Sequence, residues 1–159
     1  MGGSRLNCHD RALRLLSVRP RSRRELEGRL LRAGFEHEEV AEELARLQEV
    51  GLVDDARFAA QFAEQATTRR LQGSRAVGAA LAAKGVDRRT IEETLVELGN
   101  DDAERLDRVA SRRAARLGSL PRETAYRRLV SFLVRRGYDA SAARGAAAKA
   151  LDAPSAEDL

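Results

Sequence analysis

The chain reads as an all-α protein of three tandem three-helix repeats, expected to form an elongated, curved helical array of right-handed type. Three observations predict this. The apolar residues, 43% of 159, are mostly Ala, Leu and Val, with 4% aromatics and no Trp, which suits close helix-to-helix contact better than a core built on large rings. Three prolines and few β-branched runs leave nothing that reads as a sheet. Finally, one pattern recurs: Leu30-Leu31-Arg32-Ala33-Gly34-Phe35-Glu36 aligns with Leu81-Ala82-Ala83-Lys84-Gly85-Val86-Asp87 and with Leu133-Val134-Arg135-Arg136-Gly137-Tyr138-Asp139, the glycines lying 51 and 52 residues apart.

The recurring pattern is a helix stop. Gly in the left-handed conformation closes a Schellman cap, and the apolar residue after it folds back on the residue four before the Gly. Phe35 should meet Leu30, Val86 should meet Leu81, and Tyr138 should meet Leu133. The acid that follows each, Glu36, Asp87 or Asp139, suits the opening of the next helix, where free N–H groups favour negative charge.

The elements follow in order. Residues 1–9 read as a flexible N-terminus. The first repeat, residues 10–51, opens with a helix over 10–17. Its second helix starts at Ser22, where Ser22-Arg23-Arg24-Glu25 forms a capping box, and its third carries the stripe Val40, Leu44 and Leu47. The second repeat, residues 52–99, has a helix over 54–70, a start at Gly73-Ser74, and the stripe Ile91, Leu95 and Leu98. The third repeat, residues 100–151, has a helix over 101–117, a start at Leu120-Pro121 with the proline tolerated in a first turn, and a stripe of Ala143, Ala147 and Ala150 that packs either weakly or closely. An acidic tail, residues 152–159, closes the chain. Nine helices are therefore expected.

Charge is unevenly placed. Net charge is +4, and Lys84 and Lys149 are the only lysines among 29 basic residues. The first two repeats are nearly balanced, whereas residues 100–151 carry twelve basic and six acidic side chains, so an anionic partner would be sought there. A GC-rich coding genome, which would favour Arg and Ala alike, is the competing explanation of this excess. The single Cys8 can form no internal disulfide, and neither a membrane span nor a signal peptide is visible, so the cytoplasm is expected.

Five stretches, in order, resemble the RecX family: Ala12-Leu13-Arg14-Leu15-Leu16-Ser17; Ser22-Arg23-Arg24-Glu25-Leu26; Gly51-Leu52-Val53-Asp54-Asp55-Ala56-Arg57-Phe58-Ala59; Leu81-Ala82-Ala83-Lys84-Gly85-Val86; and Leu133-Val134-Arg135-Arg136-Gly137-Tyr138. The resemblance runs from about Asp10 to Leu151. It implies a monomer of three helical repeats that binds within the groove of RecA filaments and suppresses ATPase, strand-exchange and LexA-cleavage-stimulating activities. For some members it implies contact with single- or double-stranded DNA as well. It implies no catalytic residue and no cofactor.

Two sets of arginines are candidate contacts for a partner or DNA. At 100° per residue, Arg105, Arg108, Arg112 and Arg116 cluster between about 80° and 160°, opposite Ala103, Leu106, Ala110, Ala114 and Leu117 between about 240° and 320°. Arginine grips carboxylates or phosphates with a planar fork of donors. Arg127, Arg128, Arg135 and Arg136, with Arg122, add charge on the neighbouring helix, although Arg135 and Arg136 align with Arg32 and Lys84 and so partly serve the helix dipole. The competing reading of both sets is an ordinary solvated face.

Other constellations read as structural. Asp54-Asp55 do not share a helical face, and Asp54 as an N-cap with Phe58 and Phe62 buried explains that segment better than a metal site. Cys8-His9-Asp10 lie too close in sequence to converge on one atom, and both His9 and His37 are expected to be solvent-exposed. No Gly-rich phosphate loop with Lys-Ser/Thr, no His-Glu-x-x-His and no paired Cys occurs, which argues against an enzyme. Two alternatives to a filament inhibitor stay open: a direct DNA-binding helical protein, disfavoured by the scarcity of aromatic stacking platforms, and an adaptor solenoid for an unrelated protein.

Overall fold

The computed structural model describes residues 6–153, and among these it contains eight helices and no strand. The helices are α1 (Cys8–Val18), α2 (Arg23–Arg32), α3 (His37–Glu49), α4 (Asp55–Arg69), α5 (Ser74–Ala83), α6 (Arg88–Ala115), α7 (Arg122–Arg135) and α8 (Ala140–Asp152). The described chain groups into two compact units, one from the start to Gln61 with Leu81–Ile91, the other Phe62–Ala80 with the chain from Glu92 onward.

The three Gly stops form as expected. Gly34, Gly85 and Gly137 adopt φ of 96°, 76° and 93°, a region that costs any residue with a Cβ. The N–H groups of Phe35, Val86 and Tyr138 donate to the carbonyls of Leu30, Leu81 and Leu133 at 3.4, 3.1 and 3.2 Å, and those of Gly34, Gly85 and Gly137 donate to Leu31, Ala82 and Val134. Both bonds of the Schellman motif are therefore present in each copy.

In the first unit α1, α2 and α3 close a small bundle around Leu26, Leu30, Val40, Leu44 and Leu47. Burying each of these leucines contributes roughly 1.5–3 kcal/mol. The capping box at Ser22 is half made. Ser22 Oγ accepts from the Glu25 N–H at 3.1 Å, but the Glu25 carboxylate is taken by Arg19 and, at 3.1 Å, by Arg21. Those cations hold the Glu25 carboxyl below the usual range although burial pushes it up.

Two expectations need correcting at this end of the chain. Helix α1 starts at Cys8, because Asn7 Oδ1 accepts from the Asp10 N–H at 2.7 Å and caps the first turn. Cys8 is consequently a buried core residue, its thiol pushed up by burial and then by Glu39 and Glu43. His9 is not simply solvated, since its Nδ1 lies 2.6 Å from Oε1 of the buried Glu43. His37 is exposed, as expected. The expected reading of residues 1–5 and 154–159 lies outside the described residues.

The helix count is also corrected, from nine to eight. The third helix of the second repeat and the first helix of the third run together as the 28-residue α6. Gly99 does not take positive φ. In the stops at Gly34, Gly85 and Gly137, and in a fourth at Gly51, an apolar residue follows the Gly and folds back, whereas Asn100 is polar and offers no such closure, so the helix absorbs a mid-helix Gly at about 1 kcal/mol.

In the second unit Leu106, Val109, Ala110 and Ala114 of α6 meet Ala125, Leu129 and Leu133 of α7, with Ala143, Ala146 and Ala147 of α8. The alanine stripe of α8 packs closely, Ala143 and Ala147 being wholly buried, because the small side chain lets α7 approach. Ile91, Leu95 and Leu98, by contrast, are only half-buried.

Candidate functional site

Between α6 and α7 lies a cleft of about 460 Å³ lined by Arg113, Thr124, Arg127, Arg128, Ser131 and Arg135. The five α7 residues recur at three- and four-residue spacing, so a single helical face presents three guanidinium groups and two hydroxyls. Arg113 closes the opposite wall from α6. Its guanidinium lies 4.9 Å from the centre of the Phe132 ring, and its Nε is buried without a hydrogen-bond partner among the described residues. A ring under an arginine fixes that side chain by cation–π attraction.

Counter-charge is sparse here. Arg127 approaches Glu123 at 3.8 Å, but both side chains are more than two-thirds exposed, so the pair contributes little. Among the described residues no acid pairs with Arg128 or Arg135. The cleft thus gathers positive potential and hydrogen-bond donors, an arrangement suited to a chain of phosphates or carboxylates.

The eight sequence-identified arginines fall into three groups. Arg127, Arg128 and Arg135 line the cleft. Arg108 and Arg112 are exposed along α6 and Arg116 is exposed in the turn just after it, outside the cleft lining. Arg105 and Arg136 depart from the expected face. Arg105 is only 11% exposed and pairs with Asp102 at 2.7 Å, one turn back on α6. Arg136 lies 5.1 Å from the Phe132 ring and donates to the Arg70 carbonyl, a structural post at the end of α7. Ala103, expected to face the body, is exposed, and Val109 is buried in its stead.

Arg113 was not singled out by the pattern. On the helical wheel it falls at about 220°, beside the apolar arc, where a long side chain buries its stem and carries its head to the rim. Outside the cleft lining, Tyr138 is buried and donates its hydroxyl to the Leu71 carbonyl at 3.1 Å. Burial pushes its phenol up to about 12, against the pull of Arg105, Arg136 and Arg108.

The Asp54-Asp55 segment behaves as a pair of caps. Asp54 Oδ1 accepts from the Arg57 N–H at 3.0 Å and Asp55 Oδ1 from the Arg23 N–H at 2.8 Å. Phe58 is buried and Phe62 half-buried. Among the described residues no cluster of three His, Cys, Asp or Glu could hold a metal ion, and no helix is long and apolar enough to cross a membrane.

Comparison with known proteins matches residues 8–47 to the family model for the first three-helix domain of RecX and residues 54–95 to that for the second. The chain is 41% identical over 142 residues to the regulatory protein RecX of Mycobacterium sp. (strain JLS), covering 86% of this chain and 77% of the relative. It is 35% identical over 137 residues to the regulatory protein RecX of Chlorobaculum tepidum, covering 86% and 84%. Its fold is similar to the crystal structure of RecX from Lactobacillus salivarius, with a TM-score of 0.81 at 19% identity, covering 90% of this chain and 94% of that one.

Proposed function

This chain belongs to the RecX family, and from that premise we propose that it binds the nucleoprotein filament of a RecA recombinase and restrains its ATPase, strand-exchange and coprotease activities. The observation that carries the reading is the third repeat's arginine cleft, a preformed receptor for anionic chains on a regulator of this family. A nucleoprotein filament offers both phosphates and acidic protein surfaces, and a protein with several contact regions gains affinity by linking them.

In this reading the chain works as a cytoplasmic monomer without cofactor or chemistry of its own. Its three repeats, residues 10–51, 52–99 and 100–151, divide the labour, with the third as the main anionic-partner surface. Arg127, Arg128, Arg135 and Arg113 make the contacts in the cleft, and Arg108, Arg112 and Arg116 supply longer-range attraction. Arg105 and Arg136 support the surface from beneath.

The deciding measurement is ATP turnover by RecA on single-stranded DNA with this protein added. Turnover should fall at sub-stoichiometric ratios; unchanged turnover at equimolar protein would refute the proposal. The same cleft favours a second reading, direct binding of DNA without a recombinase. Tight binding to bare DNA, with turnover unaffected, would select it.

A further inference from the structure

The Gly stops of the repeated pattern do more than end helices: of Gly34, Gly85 and Gly137, the last two are joints, while the stop at Gly51, outside the pattern, has its carbonyl bonded by Arg57 Nη2 of its own segment at 2.8 Å. In the first unit the Gly85 turn at the end of α5 sits on the start of α2. Ser22 Oγ donates to the Lys84 carbonyl at 2.5 Å, and a Cβ on Gly85 would lie 2.2–2.8 Å from the Arg24 side chain. In the second unit the Gly137 turn at the end of α7 sits on the start of α5. The Gly73 N–H donates to the Arg136 carbonyl at 2.8 Å and the Arg75 N–H to the Gly137 carbonyl at 3.1 Å. A Cβ on Gly137 would lie 2.3–2.9 Å from Ala76, and one on Gly73 would lie 2.7 Å from the Gly137 carbonyl group.

The joints follow one rule. The residue that opens the receiving helix is Ser22 or Gly73, small and able to donate. Two residues on stands an arginine, Arg24 or Arg75. Arg24 lays its stem over the Gly turn, and Arg75 pairs with Asp139, the acid after the turn, at 2.7 Å. The apolar residue after the Gly is buried at both joints, Val86 and Tyr138 alike.

The remaining copy, at Gly34 in the first repeat, has every element of the turn and no receiving helix among the described residues. Gly34 holds φ of 96°, yet a Cβ there would meet nothing within 4 Å. No described group donates to the Ala33 or Gly34 carbonyls, which are the counterparts of the two acceptors on Arg136 and Gly137. Phe35 is left half-exposed where Val86 and Tyr138 are buried, and Glu36 is exposed at the position of Asp139.

We propose that the Gly34 turn at the end of α2 is a docking site for the start of a helix from another protein, one that opens with Ser or Gly and carries Arg two residues later. The small opening residue allows contact with the turn, its donor satisfies the Ala33 or Gly34 carbonyl, and the arginine meets Glu36. A second copy of this chain does not fit. Its Ser22 and Gly73 ends already hold a turn, and α7 is preceded by Pro121, which has no N–H to give. The inference stands apart from the recombinase reading, since neither the cleft nor the third repeat takes part.

The probe is an acetylated, helix-stabilised peptide with the sequence of residues 73–83, which carries Gly73 and Arg75, titrated into the isotope-labelled full chain and followed by amide NMR. Saturable shifts should centre on residues 33–36. They should vanish for a Gly34→Asn chain, in which the left-handed turn is tolerated but a side chain fills the joint. A peptide with Arg75→Glu should bind weakly to the unaltered chain and regain binding on a Glu36→Arg chain. No saturable shift at millimolar peptide, shifts elsewhere, or a charge swap without rescue would overturn the proposal. Concentration-dependent self-association abolished by Gly34→Asn would overturn the choice of a foreign partner.

Discussion

Replacing Arg127, Arg128 and Arg135 together by Ala tests whether the cleft captures an anionic chain or is merely solvated. All three side chains are exposed, and among the described residues the ion pair lost is the long Arg127–Glu123 contact at 3.8 Å, so folding stability should change by no more than about 0.5 kcal/mol. Binding should respond differently. Each phosphate neutralised on a single strand adds about 0.7 to the slope of log affinity against log salt, so three lost contacts flatten it by about 2. Between 50 and 200 mM salt, the unaltered protein should therefore lose about twentyfold more affinity for the filament than the triple variant does. Fluorescence anisotropy of labelled DNA in the filament, across that salt range, reads the slope directly. An unchanged slope in a variant of normal helicity would show that the arginines are solvated decoration. A flattened slope accompanied by lost helicity would show that they are structural. Either result removes the cleft from the mechanism.

Two further expectations concern the fold. Gly34→Ala introduces a side chain at positive φ into open space and should cost about 1–2 kcal/mol, whereas Gly137→Ala drives a Cβ onto the Ala76 backbone and should cost more, about 3 kcal/mol or above; equal shifts of the urea midpoint would refute the joint at Gly137. Tyr138 holds its proton more tightly folded than unfolded, with a value raised from 10.0 to about 12, so its contribution is whole below pH 10 and fades as pH rises toward 12, by about 2–3 kcal/mol. Urea midpoints should fall across that window, and Tyr138→Phe should lose this component of the fall while starting lower for want of the bond to Leu71.

What the sequence disclosed was whatever closes over a few residues. The stop at Gly34, Gly85 and Gly137 was legible because the left-handed turn, the apolar residue after it and the receiving leucine all lie within one helical turn. The membership of Arg127, Arg128 and Arg135 in one face followed from helical spacing alone. Arg113 escaped because it sits beside the apolar arc of α6 and becomes part of the cleft only once Phe132 of another helix lies under it. The partners of Arg105 and Arg136 escaped for a related reason: Asp102 and the Arg70 carbonyl take up their guanidinium groups, and nothing in a charge count marks a partner as stronger than water. The start of α1 had a local signal, Asn7 three residues before Asp10, that was hidden by the expectation of a frayed end.

The same contrast explains why the joints could not be read from the repeat. Ser22 and Gly73 looked like helix starts, and they are, but each also touches the turn of a helix some sixty residues further on, Ser22 at Lys84 and Gly73 at Arg136. A residue chosen to cap the start of a helix needs an acceptor side chain; a residue chosen to receive a Gly turn needs to be small. Ser and Gly meet the second demand in common, and only Ser meets the first with its side chain. That Gly73 gives up side-chain capping to admit the Gly137 turn, where any Cβ would strike the carbonyl group at 2.7 Å, indicates that contact between successive repeats outweighs the capping of one helix. At the Gly34 turn no described helix takes the receiving place, and the turn stands exposed.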